Sequence, residues 1–359
     1  MDFYIIYRFV AIAAVLATPL LFERRHFAQL RPFRTLLLLS LLTTYAYGMS
    51  RYWGVDFGNY TRAFLGEPYI IPEIGFQCLT SVFLFFSLSL TNMIQLIGVV
   101  SVYSLYRVSK KFEISFLFLF LIYFLHLAVV RDFAQLRIGF ALSICLLAFC
   151  SESSMKKIFL YILALAFHKV SFAFILPLLL SHKISTYRDP ALRNTLILLL
   201  IVAAIIPAIF LEYLVFLDER IYLYMVWDKP GYGQPVDSWS GLYFQVLLLI
   251  ICLWGYYKFK QASIHVGVQY MRLFTYLQLI CVVVFIFFSE HAAFSARLSN
   301  VLCSLYPIAI AFIMKLEYMK GHSIIDRFSK VAVAQSLQLT LLLRPGTDFI
   351  LKYAKVWPM

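Results

Sequence analysis

Residues 157–182 read KIFLYILALAFHKVSFAFILPLLLSH, an apolar run split in its middle by Phe167-His168-Lys169-Val170-Ser171 and punctuated again by Pro177. A span of about 20 apolar residues crosses a bilayer, but an imidazole beside an ammonium at membrane depth must find partners or water. Packing gives no reason for that pair, so the interruption marks a site. Just upstream, Arg131, Asp132, Gln135 and Arg137 break into the start of another hydrophobic helix in the same way.

The rest of the chain shares this apolar character. With 62% hydrophobic and 14% charged residues over 359 positions and a mean hydropathy of +0.84, it reads as an all-α polytopic membrane protein. The runs lack the alternation of a transmembrane barrel. Spans are expected near residues 3–22, 33–49, 74–90, 93–106, 114–130, 135–150, 158–180, 195–217, 242–257, 273–289 and 298–315, with a short twelfth at 331–343. That is about 11–12 transmembrane helices of about 20 residues each, in a single integral membrane domain over residues 1–359. The first run lacks a basic leader and a small-residue cleavage site, so it reads as a retained span.

The net charge of +13 is explained by short basic connections at residues 24–34, 156–157, 183–193, 258–272 and 315–330, which the positive-inside rule places in the cytoplasm. No nucleic-acid partner is implied. Residues 50–73 and 218–240, rich in Tyr, Trp, Gly and Pro, are left as outer-face (periplasmic) loops. The patch Arg107-Val108-Ser109-Lys110-Lys111 does not fit this parity. Either residues 74–106 cross an odd number of times or the patch breaks the rule. If it is cytoplasmic, Arg131 and Arg137 reach the outer face, and residues 157–182 enter and leave on one side. That requires a broken or re-entrant helix around His168, lining a cavity.

The candidate chemistry follows from residue type. Arg131 and Arg137, six residues apart, do not share a tight helical face, yet a guanidinium offers permanent charge and forked donors suited to a diphosphate; interfacial snorkelling is the plain alternative. His168 titrates near neutrality and suits a general base for a sugar hydroxyl, although a membrane histidine also serves simply to bond a facing helix. Arg220, in Asp218-Glu219-Arg220, and Arg297, in Ala296-Arg297-Leu298, join the expected diphosphate set. Asp56 is the best early carboxylate and alternative base. Tyr60, Glu73, Gln135 and Lys169 are expected to contact substrate, with helix N-terminal charge as the plain reading of Glu73. All six cysteines lie in apolar runs without metal-site spacing. Asp-x-Asp, His-Glu-x-x-His, Walker and Gly-x-Ser-x-Gly motifs are absent, so neither metal nor cofactor is expected. Arginines without metal-binding carboxylates suit an anionic substrate already in the membrane, such as a lipid-linked diphosphate.

The ordered set Gly54-Val55-Asp56-Phe57-Gly58-Asn59-Tyr60 with Phe64, Pro72-Glu73-Ile74-Gly75-Phe76, Gln135-Leu136-Arg137-Ile138-Gly139-Phe140-Ala141, Phe167-His168-Lys169-Val170-Ser171 with Pro177, and Ala296-Arg297-Leu298 resembles the EpsG-type branch of Wzy polysaccharide (O-antigen) polymerases. The resemblance implies a GT-C-like glycosyltransferase of the bacterial inner membrane. Such an enzyme joins undecaprenyl-diphosphate-linked oligosaccharide repeat units, as donor and acceptor, into O-antigen or a related surface polysaccharide on the outer face. It implies no metal or nucleotide sugar, and leaves open a partner protein that regulates chain length. Carried over by motif, Arg137, His168 and Arg297 are the functional positions, with Asp56 and Glu73 in the early motifs. Ile138 stands where the family often has glutamine, so that side chain's role is missing here. A lipid-linked oligosaccharide flippase and a membrane sugar acyltransferase are the rivals. The first predicts two similar halves, which the sequence lacks; the second predicts a histidine and an arginine in an early span, where only Arg8 occurs.

Overall fold

The computed structural model of the chain describes residues 31–51, 57–67, 71, 73–133, 135–186, 190–209, 240–288, 298 and 301–319. All regular structure among them is helical, in two compact units: residues 1–169 with 314–359, and residues 170–313. The expected first and twelfth spans, Asp56, Arg220, Arg297 and most of the 218–240 loop lie outside the described residues.

In the first unit, α1 (Arg31–Arg51) and the short α2 (Phe57–Phe64) precede α3 (Ile74–Phe85) and α4 (Leu90–Lys111). Next come α5 (Phe116–Tyr123), which widens into a π-helix over Phe124–Phe133, then α6 (Leu136–Cys150) and α7 (Ser154–Phe167). Serines start several of these helices by accepting from an otherwise orphaned amide. Ser89 and Asn92 form a reciprocal capping box on α4, and Ser115 and Ser153 cap α5 and α7. Lys110 and Lys111 end α4, where cations complement the helix dipole. The α5 helix is apolar all round and central, with Leu119 to Ile122 fully buried. Small residues let α4 approach its neighbours: Gly98 faces Met49 and Tyr45 of α1, and Ser143 of α6 bonds Ser101 at 3.0 Å.

Two features of this segment differ from the sequence expectation and one agrees with it. The expected spans 74–90 and 93–106 become one helix of 12 residues and one of 22, about 18 and 33 Å long at 1.5 Å per residue. Only the second matches a hydrocarbon core of about 30 Å. The expected loop at Arg131 and Asp132 is part of the π-helix, which carries the chain to Phe133 before α6 begins. The expected break at His168 is present: α7 ends at Phe167, His168 is extended at φ −161° and ψ 120°, and a new helix starts at Ser171.

The second unit holds α8 (Ser171–Thr186), α9 (Pro190–Ile209), α10 (Ser240–Gln261), α11 (His265–Phe287) and the first part of α12 (Tyr306–Met319). Among the described residues, Leu242–Gln261 and His265–Phe287 are long and apolar enough to cross a membrane. They pack as a hairpin glued by buried polar groups, with Gln278 Nε2 donating to Gln245 Oε1 at 2.7 Å. Phe259 and Phe312 stack at 4.8 Å. The α11 helix starts eight residues before the expected 273, which puts Arg272 inside it rather than in a connection.

Helix ends at Ser87, Glu113 and Ser263 take the left-handed conformation, with φ of 54°, 50° and 56°. In each, the paired closing bonds satisfy the last carbonyls, as Ser263 N to Lys260 O and Ile264 N to Phe259 O do for α10. A side chain there is strained where glycine is not. Ser263→Gly should therefore raise the melting temperature in detergent, by the equivalent of about 0.5–1 kcal/mol; a lower value would refute the strain.

Candidate active site

Arg137 lies in the first turn of α6, where Gln135 is the N-cap residue without using its side chain as a cap. Its Nη1 donates to Glu73 Oε2 at 2.5 Å, its Nε to Tyr60 Oη at 3.4 Å, and its guanidinium lies 5.6 Å from the Tyr60 ring centre. The Glu73 side chain is 4% exposed and that of Arg137 17%, so the pair is largely enclosed with its cation reachable. Glu73 is the N-cap residue of α3, but its carboxylate makes no cap bond and is spent on Arg137 instead. Tyr60 is buried from α2 and packs against Phe76 of α3 at 5.4 Å. Sequence positions 60, 73 and 137 thus converge on one point.

His168 borders the same helices. Gly75, the second residue of α3, lies so close to α7 that an added Cβ would fall 2.8 Å from the Ala166 carbonyl carbon and 3.0 Å from the Phe167 amide nitrogen. Phe167 in turn meets Phe140 of α6 edge-on at 4.6 Å. His168 follows directly, half-buried, with its amide closing α7 onto Ala164 O. Lys169 is exposed and Gln135 half-buried.

The depth of this point follows from helix lengths. Lys111 Nζ donates to Phe149 O, and Ser101 meets Ser143, so α4 and α6 run parallel and are level at their C-terminal ends. Counted from the Ser101–Ser143 contact at about 1.5 Å per residue, the start of α4 stands about 8 Å beyond Arg137. The Arg137–Glu73 pair is therefore recessed. The level end carries the cations: Lys110, Lys111, then Lys156 and Lys157 in the first turns of α7, and Lys315 of α12, which bonds Phe112 O at 3.4 Å and Glu113 at 3.1 Å.

Asp132 was not assigned a role from the sequence, yet it is the best-held carboxylate described. It is fully buried and accepts from Tyr45 Oη at 2.5 Å and from Tyr123 Oη at 2.9 Å. Its Oδ1 sits 2.7 Å from where a Cβ on Gly139 would be, one turn after the helix start that carries Arg137. Arg131 is likewise buried, at 2% exposure. The available signal was that Asp132 is the lone acid between Glu113 and Glu152 in an apolar stretch; its partner Tyr45, 87 positions away, gives no sequence signal. Asp132→Ala should cost about 2–4 kcal/mol, because buried phenol groups lose their acceptor, while Asp132→Asn should cost less. Equal melting temperatures for wild type and Asp132→Ala would overturn this assignment.

The described residues are all helical and largely apolar, as in a membrane protein, and they enclose an ion-paired arginine. The sequence matches the EpsG family over residues 33–343, most of the chain, and the protein belongs to that family, a Wzy-type polymerase family. Comparison with curated proteins and with solved structures gives no match.

Proposed function

We propose that this protein is a polysaccharide polymerase of GT-C type in the bacterial inner membrane, and that the recessed Arg137–Glu73–Tyr60 point is where it handles its lipid-diphosphate donor. Family membership supports the glycosyltransferase-like role. The observation that carries the site is the enclosed Arg137–Glu73 pair at the end of the first unit opposite its lysines. By the positive-inside rule the lysine end is cytoplasmic, so the arginine faces outward. In this proposal α3, 12 residues long, does not cross and α4 does, so residues 74–111 would cross once, the odd-count alternative for the Arg107–Lys111 patch.

In the proposed reaction a hydroxyl of the acceptor repeat unit attacks the anomeric carbon of the donor. The bond from that carbon to the diphosphate oxygen breaks, the new glycosidic bond forms, and the hydroxyl proton passes to His168 or Asp56. Arg137, aided by Arg220 and Arg297, neutralises the departing undecaprenyl diphosphate. Charge placed in advance where negative charge develops is usually the largest catalytic contribution. Glu73 holds the Arg137 fork until phosphate oxygens replace it, while Tyr60 and Lys169 meet the sugar. The products are O-antigen-like chains, made without metal.

Purified protein supplied with undecaprenyl-diphosphate-linked repeat units tests this in one assay. Products lengthened without nucleotide sugar, in the presence of a chelator, are expected. Relocation of intact lipid-linked units with no lengthening would replace the polymerase by the flippase.

A further inference from the structure

The second unit contains a cationic point that neither the family reading nor the proposed reaction uses. Arg272 lies seven residues into the spanning helix α11, about 10 Å below its start, where an isolated guanidinium is costly. Its Nη1 donates to Ser185 O of α8 at 3.1 Å, its guanidinium lies 5.8 Å from the Tyr256 ring centre, and its Nε is buried without an acceptor. Arg193, in the first turn of α9, lies within electrostatic reach of Tyr276, one turn beyond Arg272, and its Nε is also buried without an acceptor. Both arginines therefore converge on Tyr276 from two helices.

No Asp or Glu occurs among the described residues of this unit, which also carries Lys183, Lys258 and Lys260. Neutral carbonyl, phenol and ring contacts do not balance two partly desolvated guanidiniums. No described carboxylate supplies the counter-charge. We propose that Arg193 and Arg272 form a binding site for the phosphate of an anionic membrane lipid between α8, α9 and α11. The depth suits a headgroup: long cationic side chains reach from below the hydrocarbon boundary toward the interface. Beside it Trp254 and Tyr257 are exposed on α10, with Lys258 over the Trp254 ring at 5.8 Å, an aromatic and basic rim of the kind found at headgroup level. Basic pockets between spanning helices at the cytoplasmic side suit anionic headgroups. Forked donors suit a phosphate better than point charges do.

The test compares the full-length protein in nanodiscs of phosphatidylcholine alone with nanodiscs in which a quarter of the lipid is phosphatidylglycerol. Native mass spectrometry then reads which lipid stays bound. Wild type is expected to retain phosphatidylglycerol at least tenfold over phosphatidylcholine, and Arg193→Gln with Arg272→Gln to lose that preference. Unchanged preference in the double variant overturns the site. Equal loss in a Lys183→Gln, Lys258→Gln, Lys260→Gln variant also overturns it, by making the effect a diffuse surface charge. Should the double variant not fold, phenylglyoxal labelling of wild type decides: Arg193 and Arg272 should be protected with phosphatidylglycerol and labelled without it, and equal labelling sinks the proposal. Inorganic phosphate in detergent giving the same protection would assign the site to a soluble anion instead.

Discussion

Cells producing Arg137→Ala at normal protein level are expected to make no long polysaccharide, with elongation of lipid-linked units by purified protein down about 100- to 1000-fold. The physical argument has two parts that separate experimentally. Removing the guanidinium strips the leaving diphosphate of its charge partner, and it also strands Glu73, whose side chain is 4% exposed, as a buried carboxylate. Breaking such a pair from one side costs about 3–5 kcal/mol, whereas replacing both partners by apolar residues of similar volume is often neutral. Arg137→Met combined with Glu73→Leu should therefore recover most of the stability lost by either single change, while elongation stays absent. Melting curves in detergent together with a gel-based elongation assay check both. Recovery of elongation in the double variant would reduce the pair to a structural brace.

Gly75→Ala should be nearly as damaging, although no charged group is touched. The new methyl would meet Ala166 and Phe167 backbone atoms at 2.8–3.0 Å, and backbone, unlike a side-chain tip, has nowhere to turn. Relief requires α3 and α7 to part, which pulls Glu73 from Arg137 and shifts His168 at the same time. Overpacking of this kind costs about 1–3 kcal/mol, and displacement of a catalytic constellation by about 1 Å costs about 100-fold in rate. Gly58→Ala is the control, since open space surrounds that position. Wild-type elongation by Gly75→Ala would remove the close approach from the account.

How much of this was legible before the structure varies with the range of the interaction. The break at His168 is local: polar residues interrupt an apolar run, and the helix ends where they do. Helical class and the basic ends are also local and readable. The shortness of α3 was hidden because Phe83 to Leu90 is apolar apart from serines, and what ends the helix there is the left-handed turn at Ser87. Pairing is where the sequence is silent. Glu73 and Arg137, 64 positions apart, were each plausible alone, and only folding selects their partnership over a plain helix-dipole role for the acid. Asp132 had the inverse problem: its position was conspicuous, but its phenol partners come from α1 and α5. Arg272 was absorbed into a basic connection because the polar start of α11 masks the helix register.

The close seat of Gly75 on α7 has a further consequence, for the order in which the protein is made. Helix α3 is too short to be held by the bilayer in its own right, and the surface it docks on is encoded some ninety residues later. At about 5–20 residues per second the ribosome needs on the order of ten seconds to deliver that surface. Arg137 follows Glu73 by 64 residues and α7 comes later still, so the early loop stays unfinished until the helix ending at Phe167 has emerged. The reaction centre thus cannot assemble until α7 has been made, and slow maturation of the nascent chain should appear there.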